Sequence, residues 1–120
     1  MGSIRVNVTV RNPADSERAW EGEFLVDTGA YECLVPRRHL EAIGIEPDGA
    51  RDCTLADGSP MRFDKAIARI ELMGDYAGVT VLFADDDNVT PLLGVIALES
   101  LALEVDPKRQ QLRHLPAVHL

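Results

Sequence analysis

Ile4, Val6, Val8 and Val10 alternate with Arg5, Asn7, Thr9 and Arg11. A period of two kept up over eight residues specifies an extended strand with one buried face. The segment that follows, Asn12-Pro13-Ala14-Asp15-Ser16, is turn chemistry, and Ala19 to Val26 reads as a returning strand. Residues 3 to 26 therefore predict a β-hairpin, and it runs directly into Asp27-Thr28-Gly29. Downstream, Arg51 to Leu55 and Met61 to Glu71 flank Ala56-Asp57-Gly58-Ser59-Pro60, where Asp-Gly supplies the positive φ that a tight hairpin turn requires. A second, projecting hairpin is expected there.

The remaining segments are short. Cys33-Leu34-Val35 is an apolar run stopped by Pro36, and Arg37 to Ile43, closed by Gly44, suits a short helix. Gly74-Asp75 turns into a Val-rich strand from Gly78 to Phe83, and Asp85-Asp86-Asp87-Asn88 forms a loop. After Leu92-Leu93 and Gly94, Val95 to Leu101 suits a second short helix. Strands near Leu103 to Val105 and Gln111 to Leu115, joined by Asp106-Pro107-Lys108-Arg109, complete the pattern. Many short strands with one or two short helices predict a mainly β fold, barrel or sandwich. With 120 residues, the chain has room for one domain, residues 1–120, and no second core.

Charge and composition narrow the function classes. Twenty acidic against twelve basic side chains give a net charge of −8, a field that repels phosphate backbones and anionic lipid, so neither nucleic acid nor membrane is an expected partner. No apolar stretch approaches the length of a membrane helix. Cys33 and Cys53 fit neither a disulfide framework nor a four-ligand zinc site. They leave one Cys33–Cys53 bridge open, with burial in a β core the reading favoured for Cys33. A reducing, cytoplasmic setting is expected, without a secretion signal. The opening Met1-Gly2-Ser3 carries no function, since position six is Val6 where myristoylation prefers a hydroxyl residue.

The segment with most chemistry is Phe24-Leu25-Val26-Asp27-Thr28-Gly29-Ala30. It sets a carboxylate at the mouth of a buried strand, where solvent is scarce and hydrogen bonds decide ionisation. Gly29 lets a backbone N–H approach that carboxylate, and the Thr28 hydroxyl can brace the loop. Other constellations are weaker. His39, His114 and His119 have no metal-binding spacing, no serine stands in a nucleophile elbow, and Asp85-Asp86-Asp87-Asn88 lacks the glycine and distal glutamate of a calcium loop. Trp20 is expected to pack in the core or on a hairpin face. No metal and no cofactor is implied.

Taken with Leu34-Val35-Pro36, the Ala56-Asp57-Gly58 turn, Pro91-Leu92-Leu93-Gly94 and the run Ala97 to Pro107, this segment resembles the retropepsin-like aspartic proteases, in particular small bacterial single-domain members. The pieces occur in the family's order and spacing over nearly the whole chain. The resemblance implies an acid-protease barrel with one Asp-Thr-Gly lobe per chain. It makes Asp27 the catalytic aspartate, with Thr28, Gly29 and Ala30 in the active-site loop. Ala56, Asp57, Gly58 and Ser59 would form the flap over a peptide substrate, and Leu34, Val35, Leu92, Leu93 and Gly94 would line or support its pocket.

Aspartic proteolysis needs two carboxyl groups sharing one proton, one activating water and the other polarising the scissile carbonyl. This chain has one Asp-Thr-Gly, so the resemblance implies a homodimer in which each copy gives one Asp27. Three departures from the family pattern stand out. Cys33 occupies a position where many relatives carry a hydroxyl residue, Val95 follows Gly94 where retroviral members place arginine, and the turn has a single tip glycine, Gly58, with no aromatic nearby. They motivate an alternative reading, a catalytically weak or inactive dimerisation or peptide-binding module of the same fold.

Overall fold

A computed structural model describes residues 3–120. Most of the opening tripeptide, Met1 and Gly2, lies outside the described residues. The first hairpin forms from β1 (Arg5–Asn12) and β2 (Asp15–Val26), registered from Arg5 opposite Leu25 to Arg11 opposite Ala19. The alternation of β1 does what period two demands, sending Val8 and Val10 into the core with no exposed surface while Arg5 and Asn7 face water. A register shift after Arg11 marks the turn. There Asn12, nearly buried, accepts from the Ala14 N–H at 2.8 Å and donates to the Ile43 carbonyl at 2.9 Å, so its amide is satisfied on both sides. The second strand begins earlier than its pattern suggests, because Asp15 to Arg18 is exposed polar ribbon with no buried face to reveal it.

The chain continues through β3 (Cys33–Pro36) into α1 (Arg37–Ala42). This helix closes with Ile45 N–H on the Leu40 carbonyl and Gly44 N–H on the Glu41 carbonyl, both 2.9 Å, the paired bonds of a Schellman end. Next come β4 (Gly49–Thr54), β5 (Pro60–Leu72), β6 (Asp75–Ala84) and a two-residue β7 (Leu92–Leu93). Then α2 (Val95–Ser100) precedes a separate hairpin of β8 (Leu103–Asp106) and β9 (Gln111–His114).

The main sheet has the order β1-β2-β7-β3-β6-β5-β4. An extra pairing of β1 with β5, Thr9 to Arg11 against Arg69 to Glu71, brings the series from β1 to β5 back on itself and leaves β4 outside the ring. Phe24, Val35, Ile70, Val81 and Leu93 fill the interior with 0 % exposure each. Strand β7 lies between two others, parallel to β2 and antiparallel to β3. It therefore sits beneath the connection that carries Asp-Thr-Gly from β2 to β3.

Candidate active site

Backbone hydrogen bonds hold the 27–32 connection along its length. The Asp27 N–H donates to the Leu93 carbonyl at 3.0 Å, extending the β2–β7 pairing by one residue. At its far side the Ala30 carbonyl accepts from Val95 N–H at 2.8 Å and the Tyr31 carbonyl from Ile96 N–H at 3.0 Å. Gly94 passes so close beneath that a Cβ there would lie 2.5 Å from the Glu32 carbonyl oxygen and 2.7 Å from that of Tyr31. Only glycine fits this crossing.

Within the loop, Asp27 Oδ1 accepts from Gly29 N–H at 2.9 Å, and the Ala30 N–H reaches the Asp27 carbonyl at 3.2 Å. The Gly29 bond is the side-chain hydrogen bond that Asp27 makes among the described residues. Asp27 is half-buried, and Thr28 and Gly29 beside it are exposed. The Thr28 hydroxyl, which could brace the loop, has no hydrogen-bond partner among the described residues. The loop is held instead by backbone hydrogen bonds to β7 and the start of α2.

A cavity of about 690 Å³ opens between this loop and the β4–β5 hairpin. Gly29, Ala30 and Leu34 supply one wall, Leu55 the other, and Leu82 and Leu92 the apolar floor. Strand alternation explains the placement of the expected pocket residues. Leu34 and Leu92 face the cavity, while their neighbours Val35 and Leu93 turn into the core at 0 % exposure, and Gly94 is buried in the crossing. Val35 thus lies behind the pocket wall, not on it.

The hairpin turn has Gly58 at φ +86°, the conformation anticipated for the Asp-Gly pair. Gly58 N–H donates to the Leu55 carbonyl and Leu55 N–H to that of Ser59, both 2.8 Å, a three-residue loop with Gly in the left-handed position. Asp57 Oδ1 accepts from the Ser59 N–H at 2.9 Å and hydroxyl at 2.6 Å, which holds its carboxyl below the usual aspartate range. Ala56, Asp57 and Gly58 stand exposed at the tip, and it is Cys53, Thr54 and Leu55 further down the strand that reach the cavity. One contact across the cavity went unread in the sequence, the ion pair of Arg51 with Glu32. Nineteen residues apart, two charges look like solvated surface.

Both cysteines are free, so the bridge left open by the sequence does not form. Cys33 is 1 % exposed, and burial pushes its thiol up to about 11. His39 stacks on Trp20 with ring centroids 3.9 Å apart, and His114 Nε2 lies 3.1 Å from the Met73 carbonyl. No cluster of three metal-ligating side chains occurs among the described residues. No helix among them is long and apolar enough to cross a membrane.

A mainly β sheet returned on itself, with an Asp-Thr-Gly loop carried over a short inserted strand, defines the retropepsin-like class. A family model described as "gag-polyprotein putative aspartyl protease" matches residues 19–100. The chain belongs to that family. Solved structures agree on the fold. A retropepsin-like aspartic protease from Rickettsia conorii superposes with a TM-score of 0.61 at 17% identity, over 88% of this chain and 77% of that one. The protease of simian foamy virus (mac) gives 0.56 at 16% identity, over 79% of this chain and 91% of that one. A foamy viral protease-reverse transcriptase gives 0.57 at 13% identity, over 81% of this chain and 12% of that one. No curated protein matches the sequence.

Proposed function

We propose that residues 1–120 form one domain that acts as an aspartic endopeptidase by pairing with a second copy, so that two Asp27 carboxyls share a proton. One carboxylate takes a proton from the attacking water while the other, protonated, donates a hydrogen bond to the scissile carbonyl. Two like charges in contact cannot both ionise, so the pair titrates as a unit, and activity falls both where the two are charged and where both are protonated. Thr28, Gly29 and Ala30 form the active-site loop, and the β4–β5 hairpin with Ala56, Asp57, Gly58 and Ser59 at its tip serves as the flap.

The observation that carries this reading is the loop itself. Asp27 is the aspartate of the chain's single Asp-Thr-Gly, its backbone fixed to Leu93 and its carboxylate held on one side by Gly29 N–H. A pinned carboxylate with one satisfied edge and exposed neighbours suits a partner arriving from outside the chain. The cavity supports a peptide ligand: an extended segment would lie between hairpin and loop like an added strand, with alternate side chains against Leu34, Leu82 and Leu92. Apolar residues flanking the cleaved bond are the expected preference. Tyr31, Leu55 and Ile96 remain exposed around the opening at 77%, 37% and 40%, apolar surface that a peptide or second copy would cover. Two free thiols suit a reducing cytoplasm.

The test is Asp27→Asn in a peptide-hydrolysis assay, with circular dichroism to check folding. Cleavage should disappear while the spectrum stays that of the parent. Undiminished cleavage ends the assignment. Inhibition of cleavage by a statine-type mimic would favour the enzyme, whereas saturable peptide binding by the parent protein without products at both acidic and neutral pH would favour the binding-module reading.

A further inference from the structure

Arg51 on β4 reaches across the cavity to Glu32, the last residue of the Asp27 connection. Its Nε donates to Glu32 Oε2 at 3.0 Å and its Nη2 to Oε1 at 2.8 Å, a two-pronged fork that uses both carboxylate oxygens. The Glu32 side chain is only 10% exposed and that of Arg51 46%, so the carboxylate end is shielded from water while the guanidinium stem lies along the cavity wall. The pairing raises the Arg51 guanidinium above its usual value, chiefly through the hydrogen bond to Glu32. Among the described residues no other side-chain hydrogen bond joins β4 to the 27–32 connection.

The two ends of this link sit on backbones that are held in different ways. Glu32 belongs to the backbone clamped over Gly94, the same backbone that presents Asp27. Arg51 belongs to the outer strand, opposite Phe63 on β5 and with four residues between it and the hairpin loop that starts at Ala56. Elsewhere the hairpin is tied within itself by Arg62 to Asp52 at 2.9 Å, and at its base by Arg37 to Asp64 at 2.7 Å. Neither bond sets how far its cavity-facing segment, Cys53 to Leu55, stands from Leu34.

We propose that the Arg51–Glu32 pair is the latch that seats the β4–β5 hairpin over the Asp27 loop, making Arg51 a positioning residue for the hydrolysis proposed above, on which this inference rests. Without Arg51, a largely shielded carboxylate loses both of its hydrogen bonds and turns outward to water. The hairpin then lifts from the loop and the peptide-binding wall opens. The reacting carboxyls are untouched, so the loss falls on substrate affinity.

The experiment compares Arg51→Gln, Glu32→Gln, the double variant and Arg51→Lys with the parent. It reads KM and kcat on one peptide, the rate of nicking by a general protease at residues 56–59, and the melting temperature. Each Gln single should raise KM roughly tenfold with little change in kcat and speed nicking, the double should be no worse than the poorer single, and lysine should recover part of the loss. Unchanged KM and nicking in both singles, or losses that multiply in the double, would overturn the latch, as would an activity loss that merely follows the unfolded fraction. Should the parent cleave no peptide, the proposed function fails, and nicking alone still decides the latch.

Discussion

Replacing Gly94 by alanine puts one methyl group into the crossing that supports the Asp27 loop. Gly94 sits at φ −87°, ψ 172°, extended backbone that alanine adopts freely. The dihedral angles therefore cost nothing, and the smaller entropy of the unfolded alanine chain would favour the variant by about 0.4–1 kcal/mol. Against this stands contact. The new carbon would lie 2.5 Å from the Glu32 oxygen, 2.6 Å from the Glu32 carbonyl carbon and 2.7 Å from the Tyr31 oxygen, all backbone atoms with no rotamer to yield. Relief requires the 31–32 backbone to retreat by roughly 1 Å, given ordinary contact distances near 3.5 Å. That movement strains the bonds from Val95 to Ala30 and from Ile96 to Tyr31, now 2.8 and 3.0 Å. Overpacking at about 1–3 kcal/mol and two weakened bonds at about 0.5–1.5 kcal/mol each outweigh the entropy gain, a net loss of roughly 1–5 kcal/mol. For a chain of 120 residues the melting midpoint falls by roughly 4–20 °C, read by circular dichroism. Assayed well below that midpoint, peptide cleavage should drop by roughly a hundredfold, since a displacement near 1 Å misplaces the carboxylate. A variant that melts with the parent and cleaves as well would refute the claim that this crossing positions the loop.

Leu93→Ala, at a fully buried position beneath the same loop, should cost roughly 2–5 kcal/mol in urea unfolding. A loss under half a kilocalorie would show that the site collapses without a cavity. Cys33, buried and with its thiol near 11, should resist iodoacetamide at neutral pH in the native protein while the more accessible Cys53 is alkylated. Peptide mapping by mass spectrometry checks this, and equal rates would contradict it. Arg11 holds the Glu71 carboxyl below the usual glutamate range through bonds of 2.6 and 3.1 Å. The pair therefore adds stability above the unfolded glutamate value, and this is lost as pH falls through the folded one. Glu71→Gln should flatten that part of the acid limb in urea titrations between neutral pH and pH 3, and an unaltered limb would refute the assignment.

The parts of the fold legible in the sequence are those whose forces are local. Val6, Val8 and Val10 show a buried face by alternation, Asp57-Gly58 a turn by its φ requirement, and Gly44 a helix end by its position. Strand β7 was not legible as a strand, because two residues cannot display a period and its pairings with β2 and β3 are long-range. Its importance shows in Gly94, whose constraint comes from the distant backbone of Tyr31 and Glu32. At the candidate site, Asp27 stood out through the ordered company of other segments. The opposite facing of Leu34 and Val35 follows from strand alternation within β3. The Arg51–Glu32 pair had no sequence signal, since only folding brings the charges together.

Half of the proposed dyad must come from another copy, and mixing is its most direct test. Parent chains are co-refolded with a roughly ninefold excess of Asp27→Asn chains, and cleavage is measured per parent chain. If two Asp27 carboxyls are required and chains pair at random, activity per parent chain falls to about a tenth, because most parent copies are then joined to a partner without the acid. Activity per parent chain that stays constant at every mixing ratio would show that one copy suffices, and would contradict the shared site.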